Sequence, residues 1–311
     1  MSQMNAQVDK LLTEVSDGYV PEGFICEQLL PVVKVKQFSG LLGAYGDSHL
    51  RIESSVLGGR GEARRVESVT RSTSQYLIDS HALEEILTPR DYINSDKPFD
   101  AERDTVMALN TMLYLEKEKA LADSLGDTAV LTQNTTLSGT SQYSDYTNSD
   151  PLADFSVARK TVHAAVGKAP DTAVMSWDVF DTLRFHPGIL DALGFSANRA
   201  GMLEQSELAR ALNVKRILIG EAQYNSAKEG QSDVRSDVWG KNIIFAVAPA
   251  KAEKYQTSLG YRMELMGKGP RRVYKTRVDN PPESTRLIVA DDYQQLLSKT
   301  SAAYLIKDAI A

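Results

Sequence analysis

The stretch GAYGDSHLRIESSVLGGRGEARRVESVTRSTSQY, residues 43–76, decides the fold, and only ten of its 34 positions are hydrophobic. Leu50, Ile52 and Val56 alternate as in a strand with one apolar face, Gly58-Gly59-Arg60-Gly61 supplies a turn, and Val66 lies on the return. The pattern predicts a long two-stranded hairpin with little core of its own. An isolated hairpin is marginal in water, and fixing each residue costs on the order of 1 kcal/mol, so such a ribbon is ordered only against a partner. That partner comes from elsewhere in the chain or from another copy.

The flanks indicate where the ribbon is rooted. Residues 1–36 begin with a short amphipathic helix marked by Val8, Leu11, Leu12 and Val15, then run through Gly18, Pro21, Gly23 and Pro31 in extended character, as an arm. After the ribbon, Leu83 to Leu87 is apolar enough to rejoin the body, and Pro89 to Asn94 makes a connection. The longest predicted helix follows. Asp96 as cap and Pro98 in the first turn start it, Glu102 and Asp104 favour its N-terminus, and Gly126 stops it. Val106, Leu109, Leu113, Glu116 and Ala120 step by three or four beside Ala108, Met112 and Leu115, which predicts one apolar stripe and a charged back. At 1.5 Å per residue, residues 100–125 span about 39 Å, longer than a compact domain requires.

Residues 132–150 are polar, rich in Ser and Thr and free of Lys and Arg, and predict an exposed loop. Asp150 then caps a second helix, with Pro151 at its first position, Phe155, Ala158, Val162, Ala165 and Val166 along one side and Gly167 at its end. From Thr172 short strands and helices mix: TAVMS, a helix at Trp177, a helix from Glu204 to Leu212, and KRILIG, an α/β piece. Tyr224 to Trp239 predicts a long polar loop and Ile243 to Val247 a buried strand. Tyr261 to Leu265, Arg272 to Val278 and Arg286 to Val289 predict strands, and AAYLI a last apolar one. Late strands pair with early ones when a chain returns to its first domain.

Composition bounds the function. At 311 residues, 42% hydrophobic and 24% charged, the chain allows one or two globular domains. Thirty-five Lys and Arg against 41 Asp and Glu leave a net charge of −6, which argues against a protein that coats nucleic acid through its phosphates. The longest strongly apolar run, Ile243 to Ala250, is far short of the roughly 20 residues of a membrane span. The N-terminus lacks a basic stretch followed by an apolar one, so no secretory signal is expected. One cysteine, Cys26, forbids an internal disulfide and fits a reducing compartment.

The motifs of common chemistry are missing. No phosphate-cradling glycine loop, no nucleophile elbow and no zinc helix occurs, and Cys26 with the scattered His49, His81, His163 and His186 cannot assemble a usual structural zinc site. The most enzyme-like cluster is Asp178, Asp181 and His186 on one predicted helix in SWDVFDTLRFHPG, a carboxylate orienting a general base. Its structural alternative is favoured: Ser176 caps the helix, Asp178 suits its N-terminus, and His186 precedes Pro187 where helices end. Asp291-Asp292 can be read as a cation ligand, but more simply as the cap of a helix from Asp291 to Leu297. Arg64-Arg65 and Arg271-Arg272 can grip phosphate, though isolated basic pairs are usually solvated or at interfaces. Cys26 reads as a small packed side chain, and Trp177 and Trp239 as core or interface anchors. No catalytic residue, cofactor or metal is expected.

An arm, a glycine-tipped hairpin, a long helix, an α/β piece and returning strands resemble, in that order, the parts of the major capsid proteins of tailed bacteriophages, whose α+β fold is the Hong Kong 97-type. The resemblance is carried by VPEGFICEQLLPVV, PFDAERDTVMALNTMLYLEKEKALADSL, PDTAVMSWDVFDTLRFHPGIL, LARALNVKRILIGEAQYN, DVWGK and SLGYRMELMGKGPRRVYKTR, spread over nearly the whole chain. It implies an N-terminal arm over 1–36, an extended β-hairpin loop over 37–96 and a peripheral domain with a spine helix over 97–170. An axial α/β domain over 171–260 and strands of 261–311 returning to the peripheral domain complete the division. It implies hexamers and pentamers closing an icosahedral shell around double-stranded DNA in a virion, with each extended loop lying across a neighbouring subunit.

On that resemblance Arg51, Arg60, Arg64, Arg65 and Arg71 of the hairpin are expected to pair with carboxylates on neighbours, the alternative being solvated charge that guards an edge strand. Expected partners are the chain itself, a separate scaffolding protein, a portal protein, a decoration protein and the packaged DNA; no membrane is involved, and assembly takes place in the host cytoplasm. Relatives that weld their shells use a hairpin lysine, whereas no lysine occurs here between Lys36 and Lys97, so no crosslink through this loop is expected. The rival readings are an encapsulin nanocompartment shell of the same fold, a soluble α/β enzyme using the Asp178 cluster, and another virion structural protein.

Overall fold

The computed structural model describes residues 7–45, 71–95, 100–194, 203–228, 230–252, 256–266 and 271–311. Among the described residues two large sheets are bridged by one long helix, and two further pairs of strands stand apart from them. The first sheet takes strands from both ends of the chain. Its order is β1 (Gln7–Val8), β13 (Arg271–Val278), β14 (Ser284–Leu297), β12 (Gly260–Leu265) and β2 (Val32–Val35), with β5 (Asp79–Leu87) also on β14. β5 runs antiparallel to β14 from Asp79 opposite Tyr293 to Leu87 opposite Thr285. Early strands thus pair with late ones, as the sequence predicts.

The second sheet has the order β6 (Asn134–Thr136), β15 (Ala303–Lys307), β11 (Ile243–Ala246), β7 (Thr172–Ser176) and β8 (Arg216–Gly220). β7 and β11 are buried at every position because both faces of this sheet are covered. On one face Met175, Ile243 and Phe245 pack against α5 (Pro151–Val166), α6 (Trp177–Arg184), α7 (Pro187–Ala192) and α8 (Gln205–Leu212) through residues such as Phe155, Leu183, Ile189 and Leu208. On the other, Val174, Ile244 and Leu305 meet Leu121 and Leu125 of α4 (Ala101–Gly126) and Ile25, Cys26, Leu29 and Leu30 at α2 (Cys26–Leu29).

Helix α4 therefore serves both cores. Its first half lays Val106, Leu109 and Leu113 on Leu87, Val273, Leu287 and Val289 of the first sheet, and its second half enters the second core. It starts at Ala101 with Asp100 as its cap, accepting from the Glu102 and Arg103 amides; the predicted cap Asp96 lies outside this helix and outside the described residues. The predicted stripe also needs correction. Val106, Leu109 and Leu113 are buried, but Glu116 and Ala120 are exposed, and the buried face continues through Lys117, Glu118, Leu121 and Leu125. A helix wedged between two sheets buries two faces, so a single stripe cannot describe it.

Several local expectations differ from the structure. Asp291-Asp292 does not open a helix; residues 284–297 form β14, a central strand whose pairing on both edges overrides the polar, helix-compatible run DDYQQLL. The polar stretch 132–150 contains β6 and the buried Leu137 and Tyr143, the Tyr143 amide donating to the Ala309 carbonyl. Within 224–239, β9 (Gln223–Asn225) and β10 (Arg235–Asp237) form a small hairpin. Residues 89–94 are a short helix, α3 (Pro89–Asn94), capped by Thr88 and Asp91. Of the strands after residue 260, β12, β13 and β14 join the first sheet, whereas β15 inserts beside β11 in the second. The second helix matches its prediction in full: Asp150 accepts from the Ala153 amide, Pro151 is its first residue, and Gly167 ends it at φ 72°.

Candidate assembly surface

β3 (Ser39–Tyr45) and β4 (Arg71–Leu77) pair only with each other, from Ser39 opposite Leu77 to Tyr45 opposite Arg71. They are the root of the predicted ribbon. The Ile78 amide donates to the Phe38 carbonyl at 2.7 Å and the Leu77 amide to Gln294 Oε1 at 2.8 Å, which ties the root to β14. Tyr76 and Ile78 are buried with Met263, and Val33, Val35 and Leu42 pack around them. The Tyr76 ring lies over Gly40, where a Cβ would stand 2.6 Å from its hydroxyl, so any side chain there has to displace the ring. The ribbon otherwise presents Phe38, Leu41 and Leu77 to solvent, 46%, 67% and 53% exposed.

The arm is laced into the body rather than free. Asp9 caps α1 (Lys10–Gly18) by accepting from the Leu11 and Leu12 amides, Ser16 donates to Asn110 of α4 at 3.0 Å, and β2 runs parallel to β12. The tightest anchor is Glu118. Wholly buried on α4, its carboxylate accepts from the amides of Ile25 (3.0 Å) and Cys26 (2.8 Å) and from Trp239 Nε1 (2.6 Å), fastening the start of α2 and the loop after β10 to one side chain. One residue earlier on α4, Lys117 meets Asp291 of β14 at 2.7 Å and Glu27 of α2 at 3.5 Å. Arg262 of β12 bridges Glu27 and Glu264, each at 2.8 Å, and Arg271 donates to the carbonyls of Ser16 and Tyr19. Burial opposes ionisation of Glu27, but the charges of Arg262, Lys117 and Arg271 outweigh it and hold its carboxyl below the usual range.

The predicted site residues fall as follows. Arg51, Arg60, Arg64 and Arg65 lie outside the described residues; Arg71 opens β4 with its backbone, opposite Tyr45. Asp178, Asp181 and His186 are not gathered into one catalytic group. Asp181 reaches Arg184, while His186 lies beyond α6 and begins α7, its Nδ1 accepting from the Gly188 amide at 3.2 Å and its Nε2 meeting Ser149 Oγ at 3.0 Å. Ser176 precedes α6 but its hydroxyl makes no cap bond. Asp292 is buried against Arg272 and Asp291 against Lys117, so both aspartates and the Arg271-Arg272 pair are internal ties, neither helix caps nor solvated charge. Cys26 is buried, and burial together with Glu118 pushes its thiol far above the ordinary range, which makes it inert. Trp239 is a core anchor and Trp177 is half exposed. Sequence reading missed Glu27, Lys117, Glu118 and Arg262; the one available signal was their position on the buried faces of α2, α4 and β12.

Among the described residues no group of three or more His, Cys, Asp or Glu is placed to hold a metal ion, and no helix is long and apolar enough to cross a membrane. No protein-family model matches the chain. The major capsid protein of Burkholderia phage BcepMu is 26% identical over 96% of this chain and 95% of its own length. That of Pseudomonas phage JBD67 is 23% identical over the whole of both. Among solved structures, a phage-related protein from Bordetella bronchiseptica superposes with TM-score 0.74 at 24% identity, covering 98% of each chain. The capsid of cyanophage P-SCSP1u superposes with TM-score 0.57 at 11% identity, over 99% of this chain and 92% of that one. The resemblance read from the sequence is thereby borne out in sequence and in fold: this is a mixed α+β chain related to the major capsid proteins of phages, a class of structural protein and not of enzyme.

Proposed function

We propose that this chain is the major capsid protein of a tailed phage, assembling into hexamers and pentamers of an icosahedral shell around double-stranded DNA. The near full-length agreement with two phage capsid proteins carries the reading. In this reading α4 is the spine of a peripheral domain built on the first sheet. The second sheet with α6 to α8 is the axial domain, and α5 and β15, which pack there, go with it. The ribbon of residues 37–96 is the extended loop, completed by a neighbouring subunit. Arg51, Arg60, Arg64, Arg65 and Arg71 pair with carboxylates there, since guanidinium suits interfacial ion pairs.

Assembly follows from repetition. One modest contact is reversible and lets a misplaced subunit leave, whereas many copies of it, closed by symmetry, make the shell durable. A net charge of −6 suits a wall along which packed DNA slides rather than sticks. Scaffolding, portal and decoration proteins are the further partners of this reading, with assembly in the host cytoplasm. Negative-stain microscopy of shells recovered from infected or expressing cells tests it, with the contents deciding between the two same-fold readings. Nuclease-resistant DNA supports the virion; a co-purifying enzyme in its place supports a nanocompartment. With no lysine between Lys36 and Lys97, denaturing gels of mature particles show single subunits, and a covalent ladder through this loop contradicts that expectation.

A further inference from the structure

We infer that Lys117 and Asp291 form a modification site, at which the lysine amine condenses with the aspartate carboxyl into an internal isopeptide bond between α4 and β14. The two groups stand 2.7 Å apart, Nζ to Oδ2, and are 4% and 3% exposed. The other ion-paired lysines among the described residues, Lys119, Lys168 and Lys275, are 32–39% exposed, so water competes for each of them. A contact of 2.7 Å to one carboxylate oxygen puts the carboxyl carbon roughly 3–3.5 Å from the amine, the separation of a near-attack pair. Aromatic rings wall the nitrogen: the Tyr293 centroid lies 4.2 Å from Nζ and the Tyr114 centroid 5.2 Å. Asp291 Oδ1 is buried and, among the described residues, has no hydrogen-bond partner.

Burial weighs against leaving this pair ionic. The cost of taking two charges out of water is offset only when their remaining lone pairs and protons are also satisfied, and the idle Oδ1 is not. An amide carries no net charge, the oxygen without a partner departs, and the water released goes to solvent. Two groups held in contact also react at an effective concentration far above any in solution. Glu27 Oε1, 3.5 Å from Nζ and kept ionised beside Arg262, is placed to carry the protons. The step balances without oxidant or cofactor. Glu27 takes a proton from the Lys117 ammonium, the freed electron pair forms the Nζ–Cγ bond, and the Cγ–Oδ1 bond breaks. Two protons leave the nitrogen in all and both end on Oδ1, which departs as water, while Glu27 finishes as it began. The bond fastens the long helix to a central strand of the first sheet. Being internal, it needs no second copy and leaves the subunit a single band on denaturing gels.

The test is the intact mass of the purified full chain, measured fresh and after prolonged storage under native conditions. A species lighter than the sequence by one water is expected to accumulate. Trypsin is expected to release from it a branched peptide joining residues 104–119 to residues 287–299, uncut at Lys117 and linked at Asp291 rather than Asp292. Asp291→Asn is expected to lose ammonia instead and to reach the same final mass with the same branched peptide. Lys117→Arg keeps the charge and is expected to stay at its full sequence mass, and Glu27→Gln is expected to slow the loss about 100-fold. A wild-type chain that stays at full mass, with Lys117 cut normally by trypsin, overturns the inference, as does a loss of water mapped to any other residue; both are read on the wild-type chain and stand even where a variant does not fold. A Glu27→Gln chain that condenses at the wild-type rate overturns the proton-carrying step. Dissociated subunits and shells are measured alike, so the outcome is separate from that of the capsid reading.

Discussion

Replacing Glu118 with Ala measures what holds the arm to the long helix. The carboxylate is the acceptor for three donors, the amides of Ile25 and Cys26 and the indole of Trp239, all in residues at most 4% exposed. Truncation leaves all three without a partner. A stranded buried donor costs about 1–3 kcal/mol, and the space vacated admits some water, so the expected loss is about 3–6 kcal/mol. Against a typical total of about 5–15 kcal/mol, that is a large fraction. Glu118→Gln keeps one oxygen as acceptor but turns an NH2 toward a donor, and is expected to lose about half as much. Urea unfolding of dissociated subunits at fixed concentration gives the free energy, and hydrogen exchange of the Ile25 and Cys26 amides gives its location. A loss below about 1 kcal/mol for Glu118→Ala, or unchanged exchange at those amides, refutes the reasoning.

Three further outcomes follow from the same cores. Lys117→Met leaves Asp291 and Glu27 without their shared cation and is expected to cost about 3–5 kcal/mol, whereas adding Asp291→Leu restores much of it, since an apolar pair replaces a buried ionic one at little net cost; urea midpoints of the single and double variants check this. Gly220→Ala places a methyl against the Trp239 indole and is expected to cost about 1–3 kcal/mol and to alter the near-ultraviolet dichroism of Trp239, because the ring cannot move without losing Glu118. Burial holds the His186 imidazole below its ordinary value, with Asp150 opposing. A base whose folded value is lowered binds fewer protons in the native state, so its contribution is present above about pH 6.5 and lost as pH falls below it. His186→Asn, which can still cap α7, is expected to flatten the slope of stability between pH 7 and 5 in a urea series.

Local physics made part of this legible. Asp150-Pro151 and Gly167 bracket α5 because capping is decided by neighbours in sequence, and the short runs TAVMS and IIFA, apolar but for Thr172 and Ser176, are strands buried on both faces. The order of parts was enough to show the likeness to phage capsid proteins, since it depends on which segments carry a core and which do not. What failed was tertiary. DDYQQLL has no strand pattern until β13 and β5 flank it, and Lys117 and Glu118 look like a solvated back until two sheets close over α4. Unmet need in the first hundred residues is narrower than the sequence implies: β1, β2 and β5 find partners in the body, and of the described early strands only β3 and β4 pair with nothing but each other. The partners proposed for Arg51, Arg60, Arg64, Arg65 and Arg71 belong to another molecule, which no reading of one chain supplies.

Electron microscopy of the purified protein, paired with sedimentation at micromolar concentration, tests the central claim most directly. Rings of five or six subunits and hollow polyhedra, heavier by orders of magnitude than one chain, are the predicted result. A monodisperse single-chain species, with the amides of residues 39–45 and 71–77 fully protected from exchange in that monomer, contradicts it.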